Sequence, residues 1–179
     1  MSAVAFQLER AVARYLTGAA PLLVAGSGEY LLTDEGAVIR LTGGFVFTFG
    51  VFPGQSACEV DGPCLVAYVP TGVQSEAFTM NHRCVVEVSL KYPADDDANI
   101  GNRQELLDAF LRASGALVNA LYVCNLAEVL MMQDPTLLVL PVNGPRIQRS
   151  GFEGRLRVFK VEFEVVAAPM PEEVHVNAS

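Results

Sequence analysis

An α+β fold is predicted by three stretches of this chain. Residues 83–92 (RCVVEVSLKY) alternate, with Cys84, Val86, Val88, Leu90 and Tyr92 on one face and Val85, Glu87, Ser89 and Lys91 on the other. Residues 155–165 (RLRVFKVEFEV) repeat the pattern, setting Phe159, Val161, Phe163 and Val165 against Lys160, Glu162 and Glu164. Period-two alternation marks strands with one buried face and one wet or contact-making face. Between them lies a helical stretch in which Leu106, Leu107, Phe110 and Leu111 supply an apolar face that Leu117, Val118 and Leu121 continue.

The remaining elements follow in order. Val4, Leu8, Ala11, Val12 and Tyr15 recur at helical spacing, so residues 1–17 form an amphipathic helix that Gly18 and Pro21 end. A β-rich region cut by Gly and Pro follows, with short strands at 22–25, 30–32 and 37–41. The aromatic run GGFVFTFGVF to Phe52 suits a strand with Phe45, Phe47 and Phe49 on one side, or a hairpin given its terminal glycines. Residues 52–62 read as loop, 64–70 as a short apolar strand closed by Pro70, and 71–81 as a polar connection. Asn102 with Glu105 three positions on has the spacing of a capping box for the central helix. Ser114-Gly115 is a point where that helix breaks or kinks, and a second piece over 126–132 ends at Asp134-Pro135. Residues 137–142 form a strand, Asn143-Gly144-Pro145 a turn, and Ile147 begins the return, with Gly151 and Gly154 marking a turn or bulge before the last strand.

Composition narrows the function classes. The 179 residues suit one domain, and a 51% hydrophobic fraction with 18% charge excludes disorder except at the ends. Surplus apolar surface points to concealment in an oligomer, a tightly packed monomer being the alternative. A net charge of −8 argues against gripping nucleic acid through its phosphates. Arg146, Arg149, Arg155, Arg157 and Lys160 gather the basic charge near the C-terminus. They line a lumen or meet an acidic partner, or they are solvated charges that keep strand edges apart. The longest apolar stretch, 116–132, contains Asn119, Asn125 and Glu128 and crosses a bilayer only at high cost, so no membrane partner is expected. With no signal peptide read ahead of them, the four cysteines are expected as reduced thiols in a cytosolic setting, although Cys58 and Cys64 flank a Gly-Pro turn and could pair under oxidation. Cys84 and Cys124 read as buried small hydrophobes.

The search for chemistry returns little. The run DDDAN at 95–99 offers oxygen ligands but lacks the glycine and final glutamate of a calcium loop, and suits a solvated acidic turn before a helix. GSGEY at 26–30 lacks the Lys-Ser/Thr ending of a phosphate loop. There is no GxSxG, and no cysteine or histidine stands at zinc-ligand spacing. His82 at a strand entrance reads as structural, and Cys84 on the apolar face is an inert thiol. No catalytic residue, metal or cofactor is therefore expected, and the chain is not expected to be an enzyme.

The order of elements resembles the tail terminator (tail-completion) proteins of long-tailed bacteriophages. FQLERAVARYL matches their first helix, PCLVAYVP the short apolar strand, HRCVVEVSLKYP the central strand, NRQELLDAFLRA the packed helix and FEGRLRVFKVEFEVV the closing strand. The resemblance spans most of residues 1–166 and rests on layout rather than a diagnostic motif. It implies a mixed, mostly antiparallel twisted sheet with an N-terminal helix and a central helix packed on it. Length and the chain's end predict one domain over 1–168 and a mobile tail over 169–179, and the resemblance implies extended loops or arms around 43–81. The implied role is a structural virion protein in the tail or neck, assembled in the host cytoplasm. Its homohexameric ring would cap the tail tube, join a head-completion or neck protein, and let DNA pass only as cargo. The expected contact residues are Phe45, Phe47, Phe49 and Phe52 on the arms and Arg146, Arg149, Arg155 and Arg157 near the end, the aromatics alternatively being core. Two other readings stay open: a head–tail connector or tail-tube subunit, and a bacterial small-molecule-binding α+β domain.

Overall fold

The computed structural model describes residues 3–24, 28–33, 36–41, 46–54, 64–70, 74–75, 82–94 and 103–171. Helix α1 (Ala3–Val24) opens the chain, followed by β1 (Gly28–Thr33), β2 (Gly36–Leu41), β3 (Val46–Pro53), β4 (Cys64–Tyr68), the two-residue β5 (Gln74–Ser75) and β6 (His82–Pro93). Helices α2 (Arg103–Leu121) and α3 (Leu126–Gln133) precede a long terminal hairpin, β7 (Leu137–Glu153) and β8 (Leu156–Pro169). The strands form one sheet in the order β1-β2-β3-β4-β6-β8-β7, with β5 added beside β6. Among the described residues only β3 and β4 pair in parallel, and the other pairings are antiparallel. This is the α+β arrangement predicted, a mixed and mostly antiparallel sheet with an N-terminal and a central helix.

The core lies on one face of this sheet. β6 and β8 pair from His82↔Ala167 to Pro93↔Leu156, which sets Cys84, Val86, Val88 and Leu90 opposite Val165, Phe163, Val161 and Phe159. Those side chains are buried together with Leu65 and Ala67 of β4. Leu8, Val12 and Leu16 of α1, Leu106, Phe110, Leu117 and Leu121 of α2, and Leu130 of α3 cover them in the same cluster. Each such side chain contributes roughly 1.5–3 kcal/mol when fully buried. The rings of Tyr92 and Phe110 meet edge to face at 6.0 Å, a geometry the ring quadrupoles favour. Polar ties fix α1 to its neighbours: the Tyr15 hydroxyl donates to the Ala120 carbonyl at 2.6 Å, and Arg14 donates to the Gln133 carbonyl at 3.0 Å.

Several elements differ from their expectation. α1 runs through Gly18 and Pro21 to Val24, absorbing part of the strand expected at 22–25. A glycine costs a helix about 1 kcal/mol and a proline about 3, and tertiary packing along Leu8, Val12 and Leu16 opposes that cost. α2 likewise continues through Ser114-Gly115, where the Ser114 hydroxyl donates to the Phe110 carbonyl at 2.8 Å. The expected turn at Asn143-Gly144-Pro145 is absent, because β7 continues through it with register shifts between Pro141 and Asn143, Asn143 and Arg146, and Ile147 and Arg149. An edge strand tolerates Pro141 and Pro145, since a missing N–H can point away from the ladder. The hairpin instead turns at Gly154, whose φ of 60° is natural for glycine. Pro169 and Met170, assigned to a mobile tail, are held: Pro169 pairs with Leu137, and the Met170 N–H donates to the Thr136 carbonyl at 2.7 Å. Residues 172–179 lie outside the described residues.

The sheet face away from the helices is less wet than alternation predicts. Ser89 and Lys91 are only 2% and 4% exposed, and Cys64 and Val66 beside them are buried. Lys91 is tolerated there because its ammonium lies 3.4 Å from Glu153, while Lys160 bridges Glu153 at 2.9 Å and Glu87 at 3.4 Å. Buried charges survive when paired in this way. The Lys160 hydrogen bond leads the forces holding the Glu153 carboxyl below its ordinary range. Burial works against the Lys160 charge, but its bonds to Glu153 and Glu87 outweigh that and raise its pKa.

Glu9 of α1 is the exception to this pairing. It is fully buried; Oε1 accepts the Val69 N–H at 2.9 Å, and Oε2 has no hydrogen-bond partner among the described residues. Burial pushes its pKa above the ordinary 4.5, against the lowering effect of the Val69 bond. The folded state thus holds this proton more tightly than the unfolded chain. Its contribution to stability is complete below about pH 4.5 and is lost as pH rises through the raised folded value. Glu9→Gln keeps the acceptor for Val69 and removes the charge, so it is expected to raise stability at pH 8 by about 1 kcal/mol and change it little at pH 4. Urea denaturation at the two pH values measures this; equal effects at both would refute it.

Candidate interaction surface

β7 is the last strand of the sheet, and among the described residues no strand lies beyond it. Its seventeen residues make it the longest described strand. It leaves several large apolar side chains in solvent, Leu140 at 51%, Ile147 at 54% and Phe152 at 65%, with Val142 also exposed, whereas the only large apolar side chain that β6 exposes among its described residues is Val85. Only its first turn of residues is covered, Leu137 and Val139 being buried near α3. Tyr122 at the end of α2 and Met132 of α3 add further exposed apolar surface. A sheet edge offers backbone donors and acceptors to another chain, and natural proteins blunt such edges with prolines, bulges and charge. β7 has all three in its middle, in Pro141 and Pro145, the register shifts and the exposed Arg146.

The bulged middle opens a crevice of about 270 Å³ between β7 and the α2–α3 junction, with Cys124 and Leu126 on one wall and Pro141 and Pro145 on the other. Its polar corner is Glu164, which accepts hydrogen bonds from both Arg83 and Asn143. The Arg83 bond, then that of Asn143, holds the Glu164 carboxyl below the ordinary carboxylate range. This anchors the bulge to β8 and β6 at the point where regular pairing fails.

The expected contact residues do not come together. Phe45 lies outside the described residues. Phe47 and Phe49 occupy β3 inside the sheet, in register with Ile39 and Ala37 of β2, rather than a protruding arm. Phe52 is half-buried and pairs with Val66 of β4. The first half of β3 pairs with β2 and the second half with β4, so this aromatic segment joins the β1–β2 hairpin to the main sheet. The basic residues are divided. Arg146 lies on the outer face, 3.3 Å from Glu162, which also accepts from Gln148 at 2.8 Å. Arg149 is in register with Lys160. Arg155 sits in the hairpin turn, where its carbonyl accepts the Ala94 N–H at 2.8 Å. Arg157 lies over the Phe152 ring at 5.1 Å, with its Nε buried and without a hydrogen-bond partner among the described residues.

Leu140, Val142, Ile147 and Phe152 were missed, although a signal existed: two prolines within a run of strand-forming residues demote that run to an edge. Reading Asn-Gly-Pro as a turn hid it. Cys124, expected buried, is exposed at the crevice mouth because the α2–α3 break places it in a turn. Cys58 and the acidic run 95–99 lie outside the described residues. Among the described residues no group of His, Cys, Asp or Glu is arranged to hold a metal ion, and no single helix is long and apolar enough to cross a membrane. No protein-family model matches the chain, and no curated protein matches it closely enough to count as a relative.

The two described environments of cysteine separate cleanly. Burial pushes the Cys84 thiol up to about 11, so at pH 8 it offers almost no thiolate. Native protein treated with a thiol-specific reagent at pH 8 is expected to be modified at Cys124 and spared at Cys64 and Cys84, as read by peptide mass mapping. Rapid native labelling of Cys84 would contradict the packing of β6.

Proposed function

We propose that this chain is a non-enzymatic assembly protein of the tail-terminator kind. In this reading its copies close into a ring, hexameric by analogy with that family, which caps a phage tail tube and binds the neck. The observation that carries it is the run of exposed apolar residues along the long edge strand β7. Leaving Leu140, Val142 and Ile147 in water forgoes burial worth about 1.5–3 kcal/mol apiece, a cost that a neighbouring subunit removes. Heterologous contacts that close on themselves hide such surface in every copy. The order of a first helix, a central strand, a packed helix and a closing hairpin adds layout similarity, which speaks to fold before function.

The reading as a small-molecule-binding domain has one feature in its favour, a groove of about 620 Å³ between α1 and α2–α3. Its walls include Arg14, Tyr15, Ala116 and Ala120. Arg14 and Tyr15 already donate to the carbonyls of Gln133 and Ala120. Ligand sites need polar groups free to converge on a ligand, so this groove supports the reading less well than the exposed edge supports assembly.

Light scattering after size exclusion, with negative-stain imaging of the same peak, tests the proposal. The expected result is closed rings of one size, with Leu140→Asp/Val142→Asp shifting most of the mass to smaller species while the circular dichroism spectrum holds. Open tubes would assign the chain to the tail tube instead. A monomer at every concentration would overturn the assembly reading.

A further inference from the structure

We infer that the distal part of β7, residues 149–153, is a contact between two copies of this chain related by a twofold axis through Gly151. The inference does not rest on the ring reading; it stands on the geometry of this short segment.

Beyond the last bulge, β7 is regular: Arg149, Ser150, Gly151, Phe152 and Glu153 pair in unbroken register with Lys160, Phe159, Val158, Arg157 and Leu156. It is therefore the part of the edge able to accept another strand, with the bulges on one side and the Gly154 turn on the other limiting its extent. Gly151 sits at its centre, and nothing among the described residues requires glycine there. Its φ is not in the left-handed region, and a Cβ added to it meets no atom within 4 Å. Glycine weakens a strand, and a close approach of another backbone is one of the circumstances in which strands keep it.

The segment is complementary to its own reverse. Antiparallel pairing about Gly151 sets Gly151 opposite its copy, Ser150 opposite Phe152 and Arg149 opposite Glu153, twice over by symmetry. Alternation keeps each pair on one face, because Arg149, Gly151 and Glu153 share a register parity that Ser150 and Phe152 do not. Opposite charges directly across an antiparallel pair contribute about 0.2–1 kcal/mol. The two Phe152 rings become diagonal neighbours at roughly 7–8 Å, within reach of aromatic contact. Phe152 is 65% exposed in the single chain, with the Arg157 guanidinium on it. A hollow of about 360 Å³ lies beside Gly151, bordered by Glu153, Val158 and Lys160. An isologous contact uses up its own surface and cannot propagate, so it would cap the edge in the free chain and keep it from open-ended pairing.

Cysteine scanning of the full chain decides the matter. Gly151→Cys places a thiol opposite itself, and mild oxidation is expected to convert most of the protein to a covalent dimer of twice the 19.2 kDa chain mass, with the 151–151 link identified by peptide mass mapping. Ile147→Cys, which this register sets opposite Arg155, is expected to give no 147–147 link. Phe152→Asp, which leaves the buried core untouched, should raise the dissociation constant of the reduced dimer at least tenfold in sedimentation equilibrium. A 147–147 link as abundant as the 151–151 link, an unlinked Gly151→Cys, or an unchanged constant in Phe152→Asp would overturn the inference. The two proposals fail separately: rings whose Gly151→Cys stays unlinked leave assembly standing without this contact, and a cross-linked dimer that never forms rings does the reverse.

Discussion

The pairing of β6 with β8 is the constraint on which the rest of this structure depends. It is the longest unbroken register in the sheet, running from His82↔Ala167 to Pro93↔Leu156. A one-residue slip would turn Cys84, Val86, Val88 and Leu90 away from the helices and set Glu87 and Lys91 toward them. Phe159, Val161, Phe163 and Val165 hold the opposing strand to the same parity, so both sequences enforce one register. α1, α2 and α3 then cover the face this defines. The charged network of Glu87, Lys91, Lys160 and Glu153 forms on the other face only because the same register brings those four residues together.

That pairing also creates the structure's weak side. β8 is served on both flanks, by β6 and β7, and among the described residues the sheet then stops. β7 inherits the edge with about three times the length of an ordinary strand, buried side chains at Leu137 and Val139 near its start, and bulges where prolines interrupt the ladder. Glu164 steadies the interrupted region through Arg83 and Asn143. Leu140, Val142, Ile147 and Phe152 stay exposed along β7. The two proposals above share this origin: one places a ring neighbour along the edge, the other a second copy at its distal end.

How much of this was legible in the sequence depended on how local the deciding physics was. The alternation of residues 83–92 and 155–165 survives intact because side-chain parity is a property of each strand alone. The start of α2 and the stop of α3 at Asp134-Pro135 were likewise read from local signals. The failures came where a neighbour overruled a local rule. Gly18, Pro21 and Gly115 break helices in isolation, yet packed helices run through them. Asn143-Gly144-Pro145 is a turn in isolation and a bulge on an edge, and whether the strand lies at an edge depends on sheet order. Ser89 and Lys91 alternate as wet residues and are buried, because Glu153 arrives from far along the chain. The place of Phe47 and Phe49 was hidden for the same reason: they belong to a strand between two others, which only the sheet order reveals.

The central claim is that the β7 edge is a surface meant to be covered by another polypeptide. Backbone amide hydrogen exchange, followed for residues 149–153 across a hundredfold range of protein concentration, tests it most directly. Covered amides exchange slowly when copies associate and quickly when they separate, so protection at these residues should climb with concentration while that of β6 stays constant. Protection in β7 that is the same at both ends of the range, in a protein whose mass does rise, would place the contact elsewhere and contradict the account.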